Sequence, residues 1–193
     1  MQRAHWLSPG WLRPVVGPQV GVATAATDVA AHEGAIDVLI NNARVHGPHG
    51  DPSNLTGAGA LSIFDVNFFG VVRTTTAFLP LLRRSPDPVI INVSSGMGSL
   101  AITHDPSRTD SSVIAPLSTA SKAALAMLTT QYARGLKARV NAADPGSTAT
   151  DLNGHSDPQS VTEGGDAIAR LATEEPGAGS KRFIDRTGPI DLS

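Results

Sequence analysis

The chain contains no cysteine. That excludes disulfides and thiolate–zinc sites and is compatible with a reducing, cytoplasmic setting. A charge excess of either sign is also missing: 15 Lys and Arg stand against 17 Asp and Glu, a net charge of −2. Nothing in that balance points to nucleic acid or an anionic membrane as a partner. No apolar run approaches the ~20 residues that a membrane span needs. Pro9, Pro14 and Pro18 interrupt the start of the chain, where a secretory signal would need an unbroken apolar region. Aromatic residues make up only 4%, and nearly all the phenylalanines fall in one stretch, 64–78. What remains is ordinary: 193 residues, 40% hydrophobic, enough for one domain with a sizeable core. No internal repeat or domain linker interrupts it.

The chain is organised around residues 89–122. Val89-Ile90-Ile91-Asn92-Val93 is a short, nearly continuous apolar run rich in β-branched residues, the pattern of a parallel strand covered on both faces. Ser94 and Ser95 follow it. After a Ser/Thr/Asp/Pro-rich segment at 103–116, helical periodicity sets in near Ala120 and continues to Gly135. Ser118 and Lys122, four residues apart, share one face of that helix. Hydroxyls and an ammonium beside a strand end lie where an open α/β sheet binds ligands. Elsewhere, Ala23–Glu33 reads as a modest helix stopped by Gly34, Ile36–Ile40 as a strand, and 61–84 as a long helix carrying Pro80 near its end. Val140–Ala143 is a further strand, Thr162 opens a helix with Glu163 in its first turn, and Arg182–Asp185 is a last short strand. Residues 1–21 show no convincing period and read as an irregular leader, with 22–193 as a single domain. His46, His49 and Asp51 lie close together in a loop without a fixed scaffold, so they read as solvated polar groups and no metal site is expected.

Several ordered motifs resemble the short-chain dehydrogenases/reductases, in particular the carbonyl-reductase-like members. Asn41-Asn42-Ala43-Arg44 looks like the family's Asn-Asn-Ala-Gly turn, and Asn67 matches its structural asparagine. Asn92-Val93-Ser94-Ser95 matches the segment with the catalytic serine, placed at Ser95. Asp144-Pro145-Gly146-Ser147-Thr148-Ala149-Thr150 looks like the Pro-Gly cofactor loop. The resemblance covers residues 22–190. It implies an α/β fold with a Rossmann-like parallel sheet and flanking helices, NAD(P)(H) as cofactor, and a small carbonyl or alcohol as substrate. It also implies oligomer contacts through the helices at 61–84 and 119–135. By the same resemblance the catalytic positions are Asn67, Ser95, Ser118 and Lys122. The cofactor positions are Asn41, Ala43, Arg44, Lys122, Pro145, Gly146, Thr148 and Thr150.

Three departures stand out. The family's Tyr-x-x-x-Lys is here Ser118-x-x-x-Lys122. The strand at 36–40 resembles the fourth of the family sheet, so the sheet is expected to be incomplete, with strands equivalent to four to seven. Gly17 and Gly21 mimic the first two glycines of the phosphate loop, but the third position is Ala23, and the spacing to Asn41 rejects the match. Arg44 stands where the family has glycine; its bulk is expected to obstruct the cofactor, the alternative being that its guanidinium reaches a phosphate. A phenol of pKa ~10 can be drawn toward neutrality by a neighbouring ammonium, whereas an aliphatic hydroxyl is a far weaker acid. The reading is therefore a family oxidoreductase whose activity and cofactor binding are impaired. Its alternatives are a non-catalytic relic or partner subunit and, more remotely, a Ser–Lys hydrolase using Ser118 and Lys122.

Overall fold

The apolar run at 89–93 forms a strand buried along its whole length in the computed structural model, which describes residues 19–191. It is the second of four strands: β1 (Val38–Asn41), β2 (Val89–Val93), β3 (Arg139–Ala143) and β4 (Phe183–Ile184). All neighbours are parallel and the spatial order is β1-β2-β3-β4, with Val38 opposite Val89 and Val89 opposite Arg139. Parallel neighbours need crossovers, and each crossover here contains a helix. The helices are α1 (Gln19–His32), α2 (Gly57–Phe64), α3 (Gly70–Leu82), α4 (Leu100–His104), α5 (Pro116–Gly135) and α6 (Val161–Thr173).

Alternation along β2 explains why it is apolar throughout. Val89 and Ile91 face one way and pack with Ala143, Ala167, Leu171 and Ile184 beneath α6. Ile90 faces the other way and packs with Leu82 and Val140, against Leu39, Tyr132 and Leu136. Successive side chains point to opposite faces, so covering both faces leaves no polar position free. Burial of each such Ile or Leu contributes about 1.5–3 kcal/mol. Asn92 is the exception and is fully buried. Its Nδ2 donates to Thr129 Oγ1 on α5, and its Oδ1 accepts from Asn41 Nδ2 on β1. Asn41 Nδ2 also donates to Thr75 Oγ1 on α3. One polar chain thus ties two strands to two helices, as buried polar groups require.

Several boundaries differ from the sequence expectation. The leader assigned to 1–21 lies mostly outside the described residues, but α1 already opens at Gln19, so 19–21 are helical. The long helix expected over 61–84 opens earlier, at Gly57, because Thr56 caps it by accepting from Gly59 N. It also changes register: residues Asp65–Phe69 form a π-helical turn between α2 and α3. Pro80 lies inside α3, two residues before its end at Leu82. The helix expected from 119 opens at Pro116, a residue suited to the first helical position because its missing N–H has no partner there anyway. Ser118 therefore sits in the first turn. The expected loop at 103–116 holds the end of α4 and a short 3-10 turn at Thr109–Ser112.

Candidate active site

The carboxyl ends of β1, β2 and β3 lie side by side, so the segments that follow them, 42–51, 94–99 and 144–150, gather at one end of the sheet. Two features bring α5 close to this end. Gly98 lies so near the helix that a Cβ there would sit 2.8 Å from the Lys122 backbone carbon. The π-turn supplies the second contact through Asn67. Asn67 Oδ1 accepts from Val45 N at 2.9 Å, while its Nδ2 donates to Val45 O at 3.1 Å and to Ser121 Oγ at 3.0 Å. Arg73 braces the same turn from one side, donating to the Asp65 carboxylate and to its carbonyl. π-turns of this kind recur at functional sites.

These contacts enclose a cavity of about 60 Å³ bordered by Arg44, Asn67, Ser95, Ser118 and Lys122, together with His46 and His49. All four residues carried over as catalytic therefore meet there, along with Arg44. Lys122 is only 5% exposed, and its Nζ donates to Val93 O at 2.7 Å. Ser118 Oγ accepts from Gly47 N at 2.8 Å. Neither is hydrogen-bonded to the other, which removes the pairing that a Ser–Lys hydrolase needs. Ser95 Oγ accepts from Met97 N at 3.3 Å. The chain's single tyrosine, Tyr132, packs in the core beneath Ile90. It lies ten residues along α5 from Lys122, about 15 Å away.

The remaining residues carried over as cofactor contacts form two groups. Asn41 ends β1, and its Oδ1 is buried without a hydrogen-bond partner. Asn42 and Ala43 are exposed, leading to the half-buried Arg44. After β3, Asp144 Oδ2 accepts from Gly96 N at 2.7 Å and its Oδ1 from Gly146 N at 2.9 Å. This carboxylate joins the serine loop to the Pro-Gly loop. Gly146 has φ +67, a conformation that disfavours any side chain. Gln159 Nε2 closes the loop from outside by donating to Pro145 O and to Thr148 Oγ1. Thr148 Oγ1 donates back to Pro145 O and Gly146 O, and Thr150 N donates to Asn153 Oδ1.

Cations dominate the cavity's electrostatics. Burial, and then the charge of Arg44, lower the Lys122 pKa to about 8, against a smaller opposing pull from Asp144. Arg44 is itself lowered by burial, with Asp144 and Asp157 acting the other way. His46 is lowered by burial and then by Arg44, His49 and Lys122, with Asp157 opposing. Burial raises the Asp144 pKa, although the two backbone donors pull it back. A consequence for stability follows from Lys122. Between about pH 8 and 10.5 the unfolded chain holds this proton and the folded chain does not, so stability rises with pH there. The slope from this one group reaches up to about 1.4 kcal/mol per pH unit. Urea melts at pH 7, 8.5 and 9.5 should show the rise in the native chain and its loss in Lys122→Met.

His46 and His49 are exposed, as the reading of solvated loop residues has it, and they also border the cavity. They follow β1 directly and so fall at the ligand-binding end of a parallel sheet. Asp144 is the residue whose role the sequence did not show, because that role depends on backbone donors in a loop 48 residues away.

With this geometry in place, the comparisons with known proteins are informative. The short chain dehydrogenase family profile matches residues 16–160. A short-chain dehydrogenase, anuI, of Penicillium roqueforti is 36% identical over 160 residues, 79% of this chain and 63% of its own length. The (-)-isopiperitenone reductase of Mentha piperita is 28% identical, with 89% of this chain and 77% of that protein covered. In fold, the chain is similar to the NADPH-bound carbonyl reductase from chicken fatty liver, with a TM-score of 0.78 at 24% identity, covering 92% of this chain and 75% of that one. The carbonyl reductase Sniffer of D. melanogaster also has a TM-score of 0.78, at 21% identity, covering 93% and 76%. The match spans less than two thirds of several of these curated relatives, 63% of the first and 34% of a second from Aspergillus fumigatus. No helix among the described residues is long and apolar enough to cross a membrane, and they hold no cluster of His, Asp or Glu suited to a metal.

Proposed function

The chain belongs to the short-chain dehydrogenase family, and we propose that it carries the substrate and nicotinamide end of an NAD(P)-dependent oxidoreductase site whose proton donor is missing. When bound, the nicotinamide supplies or accepts a hydride. The residues here suit one end of that cofactor. Asn41 offers a buried acceptor without a partner, Gly146 leaves room for close approach, and Lys122 presents an ammonium. At the other end, no glycine-rich phosphate loop follows a strand among the described residues, and Arg44 puts a guanidinium in the cavity itself. Within these residues the phosphate end of the cofactor has no such grip, and weak binding by this chain taken alone is the expected result.

In this reading a small aldehyde or ketone places its oxygen on Ser95 Oγ, and Lys122 supplies positive charge. Asn67 acts as a brace, because both ends of its amide are engaged by Val45 and Ser121. The observation that carries the proposal is Ser118. By the resemblance it stands where the family has tyrosine, and its hydroxyl sits against the Gly47 amide. Tyr132 packs in the core instead. An aliphatic hydroxyl so placed neither reaches the substrate as a phenol does nor matches its acidity. Residues 22–193 act as one partial domain in a cytoplasmic protein. Leu61, Phe69 and Met127 lie exposed on the helices at 57–82 and 116–135, which supports association through them, either with a second copy or as a non-catalytic partner subunit.

Titrating NADH or NADPH into the purified chain, read by nicotinamide fluorescence, tests the cofactor half of this proposal. Binding weaker than the micromolar range is expected. Micromolar binding would refute the lost phosphate grip.

A further inference from the structure

Nearly every side-chain polar function left free around the cavity is a hydrogen-bond donor. Ser118 Oγ and Ser95 Oγ each already accept from a backbone amide, so each has its proton left to give. Lys122 Nζ makes one hydrogen bond, to Val93 O, and an ammonium has three protons. Arg44 has five N–H groups and no acceptor. It forms no ion pair within 4 Å among the described residues, although burial lowers its pKa and the charges of Asp144 and Asp157 pull the other way. The one amide oxygen present, Asn67 Oδ1, is engaged by Val45 N. The first turn of α5 borders the same space, and no side chain caps it, so the positive end of a 20-residue helix adds to the field.

The acids that act on this cluster, Asp144 and Asp157, oppose its charge but form no ion pair with Arg44 or Lys122. Asp144 is clamped by Gly96 N and Gly146 N, and Asp157 accepts from Asn153 Nδ2. Positive charges brought together in a partly desolvated space, among side chains that mostly donate, are complementary to an anion. A guanidinium beside an ammonium suits planar or tetrahedral oxygen groups in particular.

We propose that this cavity binds a small oxyanion, a carboxylate or phosphate group, held between Arg44 and Lys122 with the hydroxyls of Ser95 and Ser118 as further donors. The Arg44 charge adds to burial in lowering Lys122, and Arg44 and Lys122 add to it in lowering His46; an anion in that place would relieve the charge part of both. The proposal does not rest on hydride transfer, since it needs only the chain's own donors.

His46 provides a reporter that works without nucleotide. The groups acting on it are Arg44, His49, Lys122 and Asp157. In the full chain labelled on histidine with carbon-13, and assigned through His46→Gln, inorganic phosphate and acetate are titrated separately at constant ionic strength against chloride. Saturable shifts of the His46 ring are expected, with its pKa higher in the bound state because an anion offsets the positive charge of Arg44 and Lys122. Arg44→Gly should weaken binding by about tenfold or more, with Arg44→Lys in between. Saturation by phosphate alone assigns a phosphate group, and by acetate alone a carboxylate; either supports the site. No saturable response to either anion in the native chain overturns it, and so does an unchanged affinity in a folded Arg44→Gly. The native titration decides the matter even where that variant fails to fold.

Discussion

Ser118→Tyr should raise carbonyl reduction by about 10²–10⁴-fold over the native chain, the range associated with a positioned general acid. The measurement is NADPH oxidation with a small aldehyde at millimolar cofactor, so that weak binding does not mask the gain. Residue 118 sits one helical turn before Lys122 in α5 and borders the same cavity as Ser95. A phenol there would lie within the field of Lys122 and Arg44, which favours the phenolate and lowers its pKa from ~10. The substitution has a structural cost. Gly47 N loses the Ser118 Oγ acceptor, worth about 1–3 kcal/mol if left buried and unpaired. The segment 45–50 must also shift, because Gly47 N lies 2.8 Å from the Ser118 oxygen, in the space a ring on residue 118 would take. A Tm lowered by several degrees with turnover raised is the expected pair of results. A variant that binds NADPH and gains no turnover would mean that Ser118 is not the defect.

Asn67→Ala should be the most damaging single truncation at the site, costing about 2–5 kcal/mol in urea unfolding. Alanine removes an acceptor from Val45 N and donors from Val45 O and Ser121 Oγ at once. Each buried group left unpaired costs about 1–3 kcal/mol, and the contributions are not additive because all three share one turn. Asn67 is 1% exposed, so water cannot replace the lost bonds without local opening. The same change loosens the π-turn that holds the β1–α2 segment against α5. His46 and Gly47 should then gain hydrogen-exchange rates out of proportion to the global loss. A cost below about 0.5 kcal/mol would show that the turn is held by Arg73 and Asp65 alone.

The strands were legible because burial on two faces leaves a plain mark: Val89–Val93 and Val140–Ala143 are nearly continuous apolar runs, each interrupted by a single asparagine, Asn92 and Asn141. Their parallel arrangement followed from the helical patterns between them. The site was legible to the extent that it is built from short ordered motifs. Asn67, Ser95, Ser118 and Lys122 were placed by spacing and resemblance, and they border one cavity. Helix starts were less legible, since Thr56 and Pro116 act through single capping positions that a periodicity over several turns does not register. The π-turn was invisible for a related reason: one extra residue per turn barely alters the apolar pattern of 61–84. The cationic character of the cavity was hidden most deeply. Arg44 and His46 come from the segment after β1, Ser95 from the segment after β2, and Lys122 from a helix, and only the fold puts their charges together.

The most direct test of the account is steady-state reduction of a small aldehyde or ketone by the unmodified chain at millimolar NADPH, with no added subunit. Turnover indistinguishable from the protein-free background is predicted, since no phenol stands within reach of Lys122. Turnover in the ordinary enzymatic range, about 1 per second or more, would contradict it.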